Sequence, residues 1–127
     1  MSNHEIGPHT RGESLFVGDL PDPPGLLHAV ALASPIPHGR IVRLDTTPAT
    51  EIEGVACILT AADIPGENEV GAVTPDQPLL PFDRNRYEGD AVAIVVAETE
   101  RIAREAVRGV ALDIRELPGV FDAVEVP

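Results

Sequence analysis

Residues 87–97 read Tyr-Glu-Gly-Asp-Ala-Val-Ala-Ile-Val-Val-Ala, and this stretch decides the fold of the chain. Its second half is an unbroken apolar run rich in β-branched residues, about as long as a strand that is buried on both faces. A helical pattern follows at once from Thr99 to Val110, and a second strand pattern follows from Ala111 to Arg115. This strand–helix–strand unit is the strongest signal in the sequence, and the other segments are expected to pack against it.

The helix of this unit is predicted to be amphipathic. Thr99 is the expected N-cap, because a threonine hydroxyl can accept a hydrogen bond from the free N–H groups of the first turn. The helical period places five apolar residues on one face, namely Ile102, Ala103, Ala106, Val107 and Val110. That face is predicted to lie on the core.

Three strands and one short helix are predicted ahead of this unit. The strands are Leu26–Ala33, Arg40–Asp45 and Val55–Leu59, and the helix runs from Pro48 to Glu53. Both faces of Leu26–Ala33 are largely apolar, which predicts a central strand whose alanine face lies close to a helix. Leu15–Val17 is a candidate short strand, and Thr60 to Asp63 has the spacing of a capping box.

Composition limits the class of protein. The chain has 127 residues, enough for one domain, and only three Phe, one Tyr and no Trp, so its core must be aliphatic. A net charge of −12 argues against nucleic acid or an anionic membrane as a partner. No stretch reaches the roughly 18–20 apolar residues of a membrane helix, and residues 1–5 lack the features of a signal peptide. A cytoplasmic protein is expected.

The expected domain lies between two less regular ends. Residues 1–14 are predicted to be a flexible arm, residues 15–119 the domain, and residues 120–127 the start of a linker to a following domain. The tail carries exposed apolar residues and no stop signal of its own; these residues are Val120, Phe121, Val124 and Val126. Pro65 to Arg84 is mostly loop, and loops of this length are usually functional, disordered or docked on a partner.

The histidines and the single cysteine are the first candidates for chemistry. His4, His9, His28 and His38 lack the spacing that puts two imidazoles on one face, so they are interpreted as surface or capping residues. His28 is the one to follow, because it lies in a predicted strand. Cys57 is predicted to be a buried, inert thiol.

Two pairs of charged residues are the other candidates. Glu67 and Glu69 could bind a cation or act as acid and base, but two loop glutamates are usually solvated. Arg84 and Arg86 could hold an anion, and a salt bridge between elements is the favoured interpretation. No catalytic, cofactor-binding or metal-binding residue is assigned.

Several short segments, taken in order, resemble a known domain. They are residues 12–21, 27–29, 34–35, 38–41, 54–55, 59–68, 87–89, 92–93 and 116–118. Their order and spacing resemble the N-terminal α/β-hammerhead domain of the large, molybdenum-binding subunit of xanthine dehydrogenases and aldehyde oxidases. The run from Leu59 to Asn68 is the most specific and is closest to the xanthine dehydrogenase branch. The chain departs from the family at Asp90 and Ala91, where Gln-Pro often follows the glycine.

The resemblance implies a fold and a function. The fold would be α+β, an α/β-hammerhead with a mixed β-sheet, one main helix and one or two short helices. The function would be that of a structural domain in an oxidoreductase that hydroxylates purines or aldehydes, packed against the molybdopterin-binding domains and inactive alone. The full enzyme would use molybdenum–molybdopterin, 2Fe-2S clusters and FAD, and the partners would be the remaining domains of the large subunit and the iron–sulfur and FAD subunits or domains.

Two other hypotheses remain open. The chain could be a free-standing ligand- or protein-binding module that uses the 65–84 loop. It could also be a small enzyme that uses Glu67, Glu69 or His28. If the chain is instead the hammerhead domain of a larger subunit, the faces that normally meet the rest of the subunit would be exposed, so the isolated chain is expected to form a dimer or higher assembly or to have a disordered tail.

Overall fold

The computed structural model describes residues 6–122 and residue 124. Three helices lie in this part of the chain: α1 (Ile6–Arg11), α2 (Thr47–Thr50) and α3 (Glu100–Gly109). Eight strands accompany them: β1 (His28–Ala33), β2 (Gly39–Asp45), β3 (Val55–Leu59), β4 (Glu69–Val70), β5 (Gln77–Pro78), β6 (Arg84–Asn85), β7 (Ala91–Ala97) and β8 (Ala111–Glu116). Short 3-10 turns occupy Val17–Asp19 and Ala61–Asp63.

Strand β7 is the centre of the fold, as the sequence predicts. It lies between β1 and β3 and pairs antiparallel with both. Val92, Ala93, Val95 and Ala97 are completely buried. One side of the strand, with Ala93, Val95 and Ala97, is thus fully buried, whereas Ile94 and Val96 on the other side are half-buried.

The α+β class with one main helix is confirmed, but the strands do not form a single mixed sheet. They form three small sheets with the orders β1-β7-β3, β6-β2-β8 and β4-β5, and every pairing is antiparallel. Helix α3 leaves the first sheet and delivers β8 to the second. Asp113 and Arg115 alternate with apolar residues in β8, so this strand suits a sheet with one solvated face.

Helix α3 closes one side of the first sheet. Its cap is confirmed, because the Oγ1 of Thr99 accepts a hydrogen bond from the N–H of Ile102 at 3.2 Å. The predicted apolar face is also confirmed, with Ala103 and Ala106 fully buried. Ala106 packs with Val95 and Ala49 in the main core cluster. The small alanines let the helix backbone approach the sheet closely.

Several boundaries and positions differ from the predictions. Strand β1 begins at His28 and lies at the edge of its sheet, so the predicted central position is wrong. Its alanines point away from α3 and are exposed, whereas Val30 and Leu32 are half-buried. A strand that is apolar on both faces can be buried on both. In β1 the chain buries only the face that carries Val30 and Leu32.

Three short segments also differ. Leu15–Val17 is not a strand; Asp19 instead accepts a hydrogen bond from the N–H of Phe16 at 2.9 Å and holds a 3-10 turn. Helix α2 has a single turn that starts at Thr47 and ends at Thr50. The segment expected to be an arm contains α1, whose Thr10 hydroxyl donates to the carbonyl of Gly7 at 3.0 Å.

Some predictions concern residues outside the described part of the chain. These are residues 1–5 of the arm, including His4, and residues 123 and 125–127 of the tail, including Val126. Within the described tail, Val120, Phe121 and Val124 are 61%, 82% and 89% exposed, as predicted.

Candidate functional site

The long loop and strand β6 bring the two predicted charged pairs together. Glu67 and Glu69 from the loop, and Arg84 and Arg86 from β6 and the residue after it, line one depression of about 460 Å³. The sequence places these pairs 15 or more residues apart, so their meeting is a property of the fold. Phe82 and Pro78 complete the apolar part of the lining.

This depression is open and its charged side chains are exposed. Neither arginine makes an ion pair within the part of the chain that the structure describes, so the predicted salt bridge is wrong. Water and salt screen charges at an open site. The arrangement suits weak, reversible contact with a polar partner better than general acid–base catalysis, which needs a positioned group at a shielded reacting centre.

Asn68 fixes the loop that carries the glutamates. Its Nδ2 donates to the carbonyl of Leu80 at 2.6 Å, and its Oδ1 accepts from the N–H of Leu80 at 3.1 Å. This residue has a structural role that the sequence analysis missed. The signal was present in the sequence, because Asn68 ends the most specific of the matched segments.

Asn85 holds the neighbouring segments and was also missed. It is fully buried, and its Nδ2 donates to the carbonyls of Ile36 at 2.6 Å and Tyr87 at 3.3 Å. Among the described residues, its Oδ1 is the one buried side-chain nitrogen or oxygen atom without a hydrogen-bond partner. The side chain joins the turn before β2 to the entrance of β7.

A second depression, of about 480 Å³, lies on the other side of Arg84 and Arg86. It is lined by Pro37, His38, Arg84, Arg86, Tyr87, Glu88 and residues 119–121. The Nδ1 of His38 lies 2.7 Å from the carbonyl oxygen of Pro118, so Nδ1 carries the proton and donates. His38 thus ties the end of β8 to the start of β2 and has a structural role.

The remaining histidine and cysteine candidates form no common site among the described residues. Among the described residues, no group of three His, Cys, Asp or Glu side chains is placed to hold a metal ion. His28 lies in edge strand β1 and is half-buried. Cys57 is exposed, so the prediction of a buried thiol is wrong. No helix in residues 6–122 combines the length and the apolar character needed to cross a membrane.

Two carboxylates have shifted pKa values, and both stabilise local turns. The pKa of Asp63 is lowered because its carboxylate accepts hydrogen bonds from the N–H and hydroxyl of Thr60, both at 2.8 Å. This confirms the predicted turn and one half of the capping box, since the Thr60 hydroxyl donates to Asp63 and the N–H of Asp63 donates to the backbone carbonyl of Thr60 at 3.0 Å. The pKa of Asp45 is lowered because its carboxylate accepts from Arg43 at 2.7 Å and from the N–H of Thr47 at 3.0 Å.

The side of the first sheet opposite α3 carries a set of apolar side chains that α3 does not cover. Residues directly opposite each other in antiparallel strands share a face. The register therefore puts six side chains on one surface, the bare face: Ala29, Ala31, Cys57, Leu59, Ile94 and Val96. Leu59 is 40% exposed, Ala29, Ala31 and Cys57 are exposed, and the two β7 residues are half-buried. The exposure of Cys57 follows from its place on this face.

Comparison with known proteins gives consistent results. A family profile described as "Aldehyde oxidase and xanthine dehydrogenase, a/b hammerhead domain" matches residues 11–118. A probable xanthine dehydrogenase subunit from Bacillus subtilis (strain 168) is 45% identical over 114 residues, which are 90% of this chain and 15% of that protein. The nicotinate dehydrogenase large molybdopterin subunit from Eubacterium barkeri is 40% identical over 110 residues, which are 87% of this chain and 26% of that protein.

Solved structures share the fold. Reconstituted CO dehydrogenase from Oligotropha carboxidovorans superposes with a TM-score of 0.85 at 30% identity, over 96% of this chain and 15% of that chain. The aldehyde oxidoreductase from Desulfovibrio gigas gives a TM-score of 0.81 at 29% identity, over 87% of this chain and 14% of that chain. The chain therefore spans between 14% and 26% of the lengths of these four proteins.

Proposed function

The chain belongs to the aldehyde oxidase and xanthine dehydrogenase a/b hammerhead domain family, and from this premise we propose that it is a structural, non-catalytic domain of a molybdenum hydroxylase. Its homologues are oxidoreductases, and it corresponds to a small domain of those proteins. In the proposed role it packs against the molybdopterin-binding domains of the large subunit. The whole enzyme would hydroxylate a purine or an aldehyde.

The uncovered surface is the observation that carries this proposal. A compact monomer of 13.4 kDa should expose about 6,500 Å², whereas this chain exposes 9384 Å². The excess, about 2,900 Å² on this chain alone, is larger than the roughly 1,000–2,500 Å² that each partner buries in many permanent protein interfaces. Residues 12–27 and the long loop account for part of it, and the bare face is its most ordered apolar component.

The bare face has the character of an interface core. Its six side chains are uncharged, and they are small or aliphatic residues on three paired strands. Exposed apolar areas of this kind mark contact sites between proteins or domains. In the proposed enzyme this surface is covered by polypeptide from outside the 127 residues.

The side chains of the chain do not fit a molybdenum cofactor. The described residues offer no cluster of metal ligands, and the two depressions are open and lined by mixed charges. A pterin with its metal needs a closed cavity with converging hydrogen-bond partners. We therefore assign no chemical step to this chain, and expect molybdenum–molybdopterin, 2Fe-2S clusters and FAD to be held by other domains or subunits.

Cys57 offers a direct test because it is the single cysteine of the chain and lies on the bare face. N-ethylmaleimide should modify Cys57 readily in the 127-residue chain. In the assembled enzyme, followed by mass spectrometry of the peptide, modification should be slower by more than about tenfold, because an interface core excludes reagent. An Arg108→Cys variant on the outer face of α3 provides the control and should react at similar rates in both forms.

Two results would refute the proposal. One is equal reactivity of Cys57 in the chain and in the assembled enzyme. The other is reduction of a dye by the 127-residue chain alone with hypoxanthine or an aldehyde as the substrate, because that would place the reacting groups in this domain.

A binding module that uses the 65–84 loop is the second candidate. The observation that favours it is the meeting of Glu67, Glu69, Arg84 and Arg86 around one depression. A ligand held there would be lost on charge removal at Arg84 and Arg86 and kept when Cys57 is alkylated. The proposed structural role instead predicts that alkylation of Cys57 weakens assembly.

A further inference from the structure

Three arginines lie side by side across the second sheet. In the strand register, Arg40 of β2 is opposite Arg84 of β6 on one side and opposite Arg115 of β8 on the other. Residues directly opposite each other in antiparallel strands have Cβ atoms about 4.5–5.5 Å apart and point to the same face. All three side chains are exposed. We call this set the arginine row.

The three arginines of the row take part in none of the ion pairs found among the described residues. The four ion pairs among the described residues use Arg11, Arg43, Arg101 and Arg104. Asp113, the acidic residue of β8 nearest to Arg115 on this face, is opposite Arg43, which is already paired with Asp45 at 2.7 Å. Arg84 borders the depression that holds Glu67 and Glu69 without an ion pair to either.

This arrangement is unusual for a chain of net charge −12. Like charges directly opposite each other in a sheet destabilise it. Three of the nine basic residues are nevertheless in one line, and the acidic residues near them form no ion pair with the row; these are Glu67, Glu69 and Asp83 beside Arg84, and Asp113 beside Arg115. The repulsion would be relieved by negative charge brought from outside the chain.

We propose that the arginine row docks an acidic segment of polypeptide from another part of the enzyme. This inference rests on the proposed function and adds the chemistry of one contact. Guanidinium groups bind carboxylates through paired hydrogen bonds. Neighbouring strands are about 4.8 Å apart, and side chains at i and i+4 of a helix are about 5–6 Å apart. The row therefore matches a helix with Asp or Glu at successive i, i+3 or i+4 positions.

Other anionic partners fit less well. The net charge of the chain repels a long polyanion such as nucleic acid. Small anions are held in closed concave sites, whereas the row crosses the surface of a sheet and Arg84 alone of the three lines the two open depressions. The acidic segment would contact the second sheet, whereas the bare face lies on the first sheet.

The sequence contains no lysine, and all nine of its Lys and Arg residues are arginine. The test of the docking surface uses this fact. The single variants Arg40→Lys, Arg84→Lys and Arg115→Lys each keep the positive charge and introduce the one side-chain amine of the chain. A water-soluble carbodiimide joins such an amine to a carboxylate in direct contact with it, with loss of water. Each variant is treated in the assembled enzyme, and the joined peptides are identified by mass spectrometry. Arg108→Lys, on α3 and outside the row, is the matched control.

The expected result is cross-linking of all three row variants to Asp or Glu residues within one segment outside residues 1–127. The yield should exceed that of Arg108→Lys by at least about tenfold, because only the row holds carboxylates in contact. Cross-links confined to Glu67, Glu69 or Asp113, or yields equal to that of the control, would overturn the proposal. A row that binds only a small anion gives no cross-link to polypeptide and would overturn it as well.

The molybdenum content of the same preparations separates this inference from the proposed function. If the assembly contains no molybdenum but the row variants join to an acidic segment, the docking surface stands and the proposed enzyme is wrong. If molybdenum is present and no row cross-link forms, the proposed enzyme stands and the docking surface is wrong.

Discussion

Asn68 and Leu80 are joined by two hydrogen bonds, one in each direction between the side-chain amide of Asn68 and the backbone of Leu80. The two residues are 12 positions apart in the sequence and close the loop between them, and the backbone carbonyl of Asn68 also accepts from the N–H of Leu79 at 3.2 Å. Leu80 is only 5% exposed, so its polar groups have little access to water. The two-residue strands β4 and β5 lie within the closed loop and depend on this closure.

Replacing Asn68 by Ala should destabilise the chain by about 1–3 kcal/mol, because a buried N–H and a buried carbonyl lose their partners. Denaturant unfolding measures the loss, and limited proteolysis with thermolysin should show new cleavage between Asn68 and Leu80. Gln77→Ala, an exposed change in the same loop, should stay within about 0.5 kcal/mol of wild type. Equal stability of the two variants would show that the two hydrogen bonds do not hold the loop.

Adjacent valines of β7 should respond differently to truncation. Val95 is completely buried against α3, whereas Val96 is half-buried on the bare face. Val95→Ala should cost roughly 2–3 kcal/mol, since it leaves a cavity in a closely packed core. Val96→Ala should cost less than about half of that in the free chain, because the same methyl groups are partly in water. Thermal and denaturant unfolding of both variants test the asymmetry, and equal losses would contradict the assignment of the two faces.

Gly54 is required by its backbone conformation and by its neighbour. Its φ is +88°, and a Cβ atom there would lie 2.7 Å from the Cδ1 of Ile102. Gly54→Ala should therefore destabilise the fold by about 1–3 kcal/mol, from the left-handed backbone and from displacement of Ile102. Gly66→Ala, where a Cβ meets open space, is the control and should cost almost nothing. A neutral Gly54→Ala would mean that the turn before β3 can change its conformation freely.

The Asp63 cap predicts a specific pH dependence. Its pKa is lowered below the ordinary 3.8 by hydrogen bonds from Thr60, so the folded state binds the proton less tightly than the unfolded state. The stabilisation from this carboxylate is thus complete above pH 3.8 and is lost as the pH falls through the folded pKa. Asp63→Asn should lower the melting temperature at pH 7, and the difference from wild type should shrink in acid. Asp22→Asn, at an exposed loop residue, should show no such convergence; a constant difference for Asp63→Asn would argue against the cap.

Self-association of the 127-residue chain should depend on the bare face. Leu59→Ser reduces the apolar area on that face at a side chain that is already 40% exposed. Because exposed apolar patches drive association, this variant should shift the sedimentation profile toward monomer with little loss of stability. Val73→Ser removes a side chain that is 97% exposed in the long loop and should leave the profile unchanged. The opposite ranking of the two variants would move the association site to the loop.

The local elements could be predicted because their causes are local. The β-branched run of β7, the cap at Thr99, the apolar stripe of α3 and the Thr60–Asp63 turn each depend on residues within one turn or one strand. The register of distant strands depends on pairings that no local pattern encodes. The row formed by Arg40, Arg84 and Arg115, and the meeting of Glu67 with Arg84, could for that reason not be predicted.

By itself, the sequence determined the five longer strands, helix α3 and an aliphatic core, since periodicity and side-chain shape act over a few residues. Only the tertiary structure decided which face of each strand is covered. An alternating or wholly apolar strand fits either side of a sheet, and α3 lies on one side of β7 and leaves the other to water. That choice exposed Cys57 and the alanines of β1, and it left this chain with a surface that suits a partner.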